Sequence, residues 1–347
     1  MNKKLLLILP IVILFSCAKK TTNNNNDTLS NDIIYNISHD VCKRSYLELY
    51  KGAADLEASV VDLQLNPSQA NLVQCQTAWK AVRYTWETTE SWLFGPISAN
   101  NIDPRIDTWP VDFNAIDSVL NTQNTLNEAY VNNLEDALKG FHPIEYFLWG
   151  ANGAKTANDF TPRQLEYLVA LSHNLSTLCK EVSDTWSNSF ANDLATAGNG
   201  SASYNSLNSA YIEIVDAMSG ICDEVANGKL HEPFIAQNAM LEESPFAQNS
   251  LKDFTQNIAG VLTIYTCDFK ENKLGIEDLV RQYNTSLDLE IKTKHAEAMA
   301  ALGAISLPFG EAIISQPIQV QNAIDKINGL ADILENKLKP FLMQYGK

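Results

Sequence analysis

Basic side chains are scarce in this 347-residue chain: 25 Lys and Arg stand against 41 Asp and Glu, for a formal net charge of -16. That balance argues against nucleic acid and against broad docking on anionic lipid. Histidine is scarcer still. The five histidines, His39, His142, His173, His231 and His295, never form H-E-x-x-H, because His231-Glu232 runs into Pro233. No C-x-x-C occurs, so neither a thioredoxin-type motif nor a zinc ribbon is present. G-x-S-x-G is missing, and "GANGAKT" at 150–156 lacks phosphate-loop spacing. Sustained strand-type alternation is rare, and apolar residues instead recur at three and four positions, which predicts an all-α protein.

The N-terminus, "MNKKLLLILPIVILFSC", has two lysines followed by an apolar run too short for a stable membrane span, and reads as an export signal. Its end, Leu14-Phe15-Ser16-Cys17, resembles the lipobox of bacterial lipoproteins. Cleavage there makes Cys17 the first residue and the site of lipidation, and several acyl chains together anchor far better than one. Residues 18–34 are polar and read as a flexible tether. Ala18 and Lys19 do not resemble an inner-membrane retention signal, so the expected location is the periplasmic face of the outer membrane. Five cysteines remain, Cys42, Cys75, Cys179, Cys222 and Cys267; buried free thiols are the simpler expectation, with one disulfide left open.

Two helical bundles packed together are expected, 35–198 and 199–347, divided at "TAGNGSAS". The clearest helix is "TPRQLEYLVALSHNLSTLCKEVSDTW", with Leu165, Leu168, Leu171, Leu175, Leu178, Val182 and Trp186 on one stripe. Thr161, Pro162 and Gln164 supply an N-cap, a first-turn proline and a capping box. A second stripe runs through Ile318, Ile324, Ile327, Leu330, Leu334, Leu338 and Phe341, and a further helix is expected over 126–139. The stretch 95–112 is too long and too rich in Arg, Asp and Trp for a plain connector.

In "GFHPIEYFLWG", Gly140–Gly150, Gly140 can close the preceding helix and Pro143 suits the first turn of the next. His142 and Glu145 are one turn apart, so an imidazole nitrogen and a carboxylate can reach one cation. Alone, the pair reads equally as a capping histidine and a glutamate at the positive helix end. Upstream, Trp79, Arg83, Trp86 and Glu90 share one helix face; a charge on such a face must be paired if it is buried. "NIDPRIDTWPVD" sets Asp103, Arg105, Asp107 and Asp112 around Trp109, and "EESPFAQNSL" carries Glu242, Glu243 and Ser244 before a helix start. Either can be a turn with helix-cap chemistry.

Together these stretches resemble the imelysin-like family, whose signature is G-x-H-x-x-E. The phrases "TESWLFGPI", "IDTWPVD", "GFHPIEYFLWG", "FTPRQLEYL" and "ESPFAQNSLKDF" occur in the family's order and span most of the chain from about residue 40. The resemblance implies two bundles with a site at their junction, in an exported protein associated with iron uptake, with His142 and Glu145 as the signature pair. On chemistry, Glu90 joins them as a cation ligand, while Arg83, Arg105, Asp107, Trp109, Glu243 and Ser244 complete the site.

The leading expectation is therefore a lipid-anchored protein that binds a metal ion, iron or zinc, and works with an iron-uptake component of the envelope. A zinc metallopeptidase is the enzymatic alternative, weakened by the single convincing histidine, since hydrolytic zinc needs about three protein ligands and a general base. No catalytic residue is assigned. The third reading is a module in which Arg105, Trp109 and the carboxylates grip an organic ligand or a protein at the bundle junction.

Overall fold

A computed structural model describes residues 24–347. Among these residues there are helices and turns, with a single isolated bridge between Asp268 and Asn272 in place of any sheet. The lipobox and Cys17 lie outside the described residues, and none of the described helices is long and apolar enough to cross a membrane.

The first bundle is built on three long helices, Lys43–Leu65, Gln69–Thr89 and Pro162–Thr185, with Lys43–Leu65 packed against both of the others. The predicted stripe of the third is buried throughout, from Leu165 to Trp186. Its start is as expected: the Thr161 hydroxyl accepts from the Gln164 backbone N–H, and the Gln164 side chain accepts from the Thr161 N–H. That reciprocal cap satisfies two donors the helix itself leaves unpaired.

The second bundle is a ring of four, Leu207–Asp223, Ser250–Thr266, Thr285–Gly303 and Pro317–Ile333. Leu207–Asp223 runs on through a widened π turn, Glu224–Leu230, into His231–Ala236. The bundles meet where Ser250–Thr266 lies on Gln69–Thr89, and one apolar core continues through both. Gly260 sets that approach. A Cβ there would stand 2.4 Å from the Thr88 carbonyl oxygen, so a larger residue would push the helices apart.

Three expectations need correction. Residues 24–36, mostly assigned to the tether, are helical, because Ile33, Ile34 and Ile37 bury one face and the Tyr211 hydroxyl donates to the Ser30 carbonyl at 3.2 Å. Ile318 is 80% exposed; Val320 and Ala323 take the buried positions, so the C-terminal stripe begins two residues later, at Val320. The stretch 126–139 is two short turns, Glu128–Asn132 and Asp136–Leu138, joined where Lys139 Nζ donates to the carbonyls of Asn132 and Leu134. The five cysteines are buried and unpaired.

Candidate metal centre

The signature helix, Phe141–Trp149, starts at Gly140, whose φ of 82° lies in the region that only glycine adopts without strain. A Cβ on Gly140 would lie 2.1 Å from the Ile106 carbonyl oxygen. The glycine therefore lets this helix start directly against the short helix Ile102–Asp107, and the contact brings His142 to Asp107, with Nε2 3.1 Å from Oδ1. The Trp79 indole N–H donates to the Phe141 carbonyl at 3.1 Å and holds the same corner from the neighbouring long helix.

The two edges of the His142 ring face different partners. Nδ1 looks toward Glu145 Oε2 at 3.5 Å, while Glu145 Oε1 accepts the Ala247 backbone N–H at 2.7 Å. Nε2 faces Asp107, and one ligand atom from each of Asp107, His142 and Glu243 lies within 4.8 Å of the others. Although Asp107 is close, Nε2 is buried and makes no well-aligned hydrogen bond. The Trp109 ring packs edge-on against the imidazole at 5.0 Å and limits its rotation.

Around this histidine lies a buried ionic network. The Arg83 guanidinium, fully buried over the Phe141 ring, contacts Asp107, Glu243 at 2.7 Å, Glu87 at 2.5 Å and Asp253 at 3.7 Å. Lys229, delivered by the π turn, places Nζ 2.7 Å from Glu90, 3.3 Å from Glu243 and 3.7 Å from Glu87. Asn257 donates to Glu87 Oε2 and Glu90 Oε2 at 2.7 and 2.6 Å and ties both acids to the second bundle. A cleft of about 260 Å³ opens onto the network, lined by Glu90, Asp103, Asp107, Trp109, Lys229 and Glu243.

The carboxylates outnumber the cations, and their proton affinities separate accordingly. Burial pushes Glu90 and Asp253 up, and the neighbouring Glu87 adds repulsion to Glu90. Asp103 rises to about 7 through burial and the nearby Asp107. Asp107 goes the other way: burial opposes its charge, but Arg83 and His142 outweigh it and hold the carboxyl well below the usual range. Burial likewise penalises the His142 imidazolium, yet Asp107 and Glu145 pull on its ring protons and raise it to about 9. The pull of the two carboxylates thus favours the doubly protonated ring over the neutral one.

The junction gathers Arg83, Glu90, Asp107, Trp109, His142 and Glu243, all of them singled out in the sequence. Glu145 sits on the other edge of the imidazole, with Oε2 3.5 Å from Nδ1, while Asp107, His142 and Glu243 gather their ligand atoms within 4.8 Å of one another. Ser244 is a support: its hydroxyl donates to Asp253 at 2.6 Å. Arg105 points away and pairs with Asn132 at 3.1 Å, because Asp107, two residues on, turns inward from the same short helix. Glu87, Lys229, Asp253 and Asn257 were missed. Glu87 was within reach as the residue one turn beyond Arg83, and Asp253 lies inside "ESPFAQNSLKDF". Lys229 carries no local signal, since only the tertiary fold brings it to Glu90.

An all-α fold with a buried imidazole–carboxylate centre where two bundles meet defines a class, and comparison with known proteins identifies it. The family model for imelysin matches residues 43–336, and the chain belongs to the imelysin family. It is 28% identical over 324 residues to "Iron-regulated protein A" of Synechococcus elongatus, covering 90% of this chain and 87% of that one. The crystal structure of a putative iron-regulated protein A precursor from Parabacteroides distasonis superposes with a TM-score of 0.82 at 21% identity, over 94% of this chain and 97% of the other. An imelysin-like protein from Psychrobacter arcticum gives a TM-score of 0.74 at 15% identity, over 91% and 96%. Both share the fold.

Proposed function

We propose that this chain is a cation-binding protein of the cell envelope that serves iron acquisition, anchored through lipid on Cys17 and facing the periplasm. The observation that carries the reading is the fully buried Nε2 of His142, which stands 3.1 Å from Asp107 without an aligned hydrogen bond and has Glu243 in the same cluster. One imidazole and two carboxylates form a donor set that suits ferrous, ferric or zinc ions. Glu145 on Nδ1 supplies the carboxylate that metal-ligating histidines ordinarily carry on their other nitrogen, fixing the tautomer and raising ring basicity. Asp107 and Glu243 would hold the cation opposite the ring, and Glu90 stands behind them on Lys229. The iron assignment draws on the name of the cyanobacterial relative and on the family.

The test uses the chain lacking residues 1–17, titrated separately with ferrous, ferric and zinc ions while its melting temperature is followed. One of these ions raises it, since a ligand bound only to the folded state stabilises that state. His142→Ala and Asp107→Asn abolish the gain with helical content unchanged; a gain that survives in both sinks the assignment. Cleavage of a peptide mixture that requires metal and disappears in Glu145→Gln would replace the binding reading with a metallopeptidase.

A further inference from the structure

Two overlapping sets of ligands occur at the junction, and they share Asp107: Asp107, His142 and Glu243 form one, and Glu87, Glu90 and Asp107 the other. The second set already holds a cation of the protein's own. Lys229 Nζ lies 2.7 Å from Glu90 Oε2 and 3.7 Å from Glu87 Oε2, and it reaches Glu243 at 3.3 Å. Glu87 is fully buried, and its Oε1 has no aligned hydrogen bond although Arg83 Nη2 stands 2.5 Å away.

We propose that the Lys229 ammonium occupies the second of two cation positions and so limits the centre to one exogenous divalent cation per chain. The inference rests on the reading of the His142 position given above. The two resident cations differ in what they can do. Arg83 is wedged among four carboxylates and the Phe141 ring, with its side chain wholly buried, and is part of the wall. Lys229 is a compact charge on a flexible stem. It lines the cleft with 10% of its side chain exposed, and it leaves a π turn beside Gly228, whose Cβ position has nothing within 4 Å. A divalent ion bound by Glu87, Glu90 and Asp107 would need Glu90 Oε2 and Glu87 Oε2, the two oxygens of that set that the ammonium now faces. Two such ions sharing Asp107, which Arg83 already contacts, would also stand beside the ammonium on Glu90 and repel it.

The experiment counts zinc, a redox-inert probe, per chain lacking residues 1–17, by equilibrium dialysis with elemental analysis. Wild type binds one zinc and Lys229→Gln binds two. His142→Ala binds none, and the double variant H142A/K229Q binds one. Lys229→Arg, which keeps the charge, stays at one. Circular dichroism checks the fold; if Lys229→Gln folds only with zinc, it is refolded in excess zinc and must still hold two. Two zinc ions on wild type, or the same number on wild type and on folded Lys229→Gln, overturns the proposal. Wild type without zinc beside one zinc on both Lys229→Gln and H142A/K229Q would instead overturn the His142 reading while leaving the Lys229 position standing.

Discussion

The two ring nitrogens of His142 define the chemistry of the junction. Glu145 and Asp107 sit on opposite edges of one imidazole, so the two carboxylates of the neighbourhood have different work. Glu145→Gln keeps a hydrogen-bonding group on Nδ1 but removes its charge, and is expected to weaken cation affinity by about 10–100-fold, as loss of an outer partner of a ligating histidine does. Competition with a chelator of known affinity measures it. Affinity equal to wild type, or complete loss as in His142→Ala, would refute the orienting role.

Protonation makes a second statement at this scale. Asp103 and His142 both bind a proton more tightly in the folded chain than in the unfolded one, rising to about 7 and about 9. Their stabilising contribution is therefore complete below the unfolded values, about 3.9 and about 6.5, and is lost as pH rises through the folded ones. The cation-free protein is expected to melt at progressively lower temperature from about pH 6 to about pH 9. Asp103→Asn removes the earlier part of the loss, so the variant gains on wild type as pH rises. A melting temperature that climbs across this window contradicts the assignment.

Among the elements, the short helices 102–107 and 141–149 matter most, and one glycine controls their contact. The spacing of "GFHPIEYFLWG" predicts a glycine that closes a helix; the structure shows a glycine that admits the Ile106 carbonyl. Gly140→Ala meets both a positive φ and a backbone oxygen at 2.1 Å, and should cost about 2 kcal/mol or more in urea denaturation while separating Asp107 from His142. Gly220→Ala is the contrast. It lies exposed in the helix Leu207–Asp223 with no atom within 4 Å of the added Cβ, so it should stabilise by about 0.5–1 kcal/mol. Equal effects from the two substitutions would mean that the close approach at Gly140 carries no weight.

For the whole molecule, the two bundles are joined by the Asn24–Asn36 helix as well as by the Gly260 contact. Ile33 and Ile34 are fully buried, and Ser30 meets Tyr211 of the second bundle. Burial of each isoleucine contributes about 1.5–3 kcal/mol. A chain beginning at residue 38 should melt several degrees below one beginning at residue 24, because a core surface is uncovered. Equal stability for the two would show that the helix is dispensable.

Local periodicity was enough to read the helices whose burial repeats every turn: the stripe from Leu165 to Trp186, its Thr161 cap, and the shared face of Trp79, Arg83, Trp86 and Glu90 all depend on residues a few positions apart. The G-x-H-x-x-E phrase likewise placed His142 and Glu145 on one helix start. Tertiary structure decided which nitrogen of that histidine meets which carboxylate, because Asp107 and Glu243 arrive from different bundles. It also turned Arg105 outward and brought Lys229 139 residues along the chain to Glu90. Charge pairing over such separations depends on how whole helices cross, and crossing is set by contacts such as Gly140 on Ile106 and Gly260 on Thr88, which no local pattern encodes.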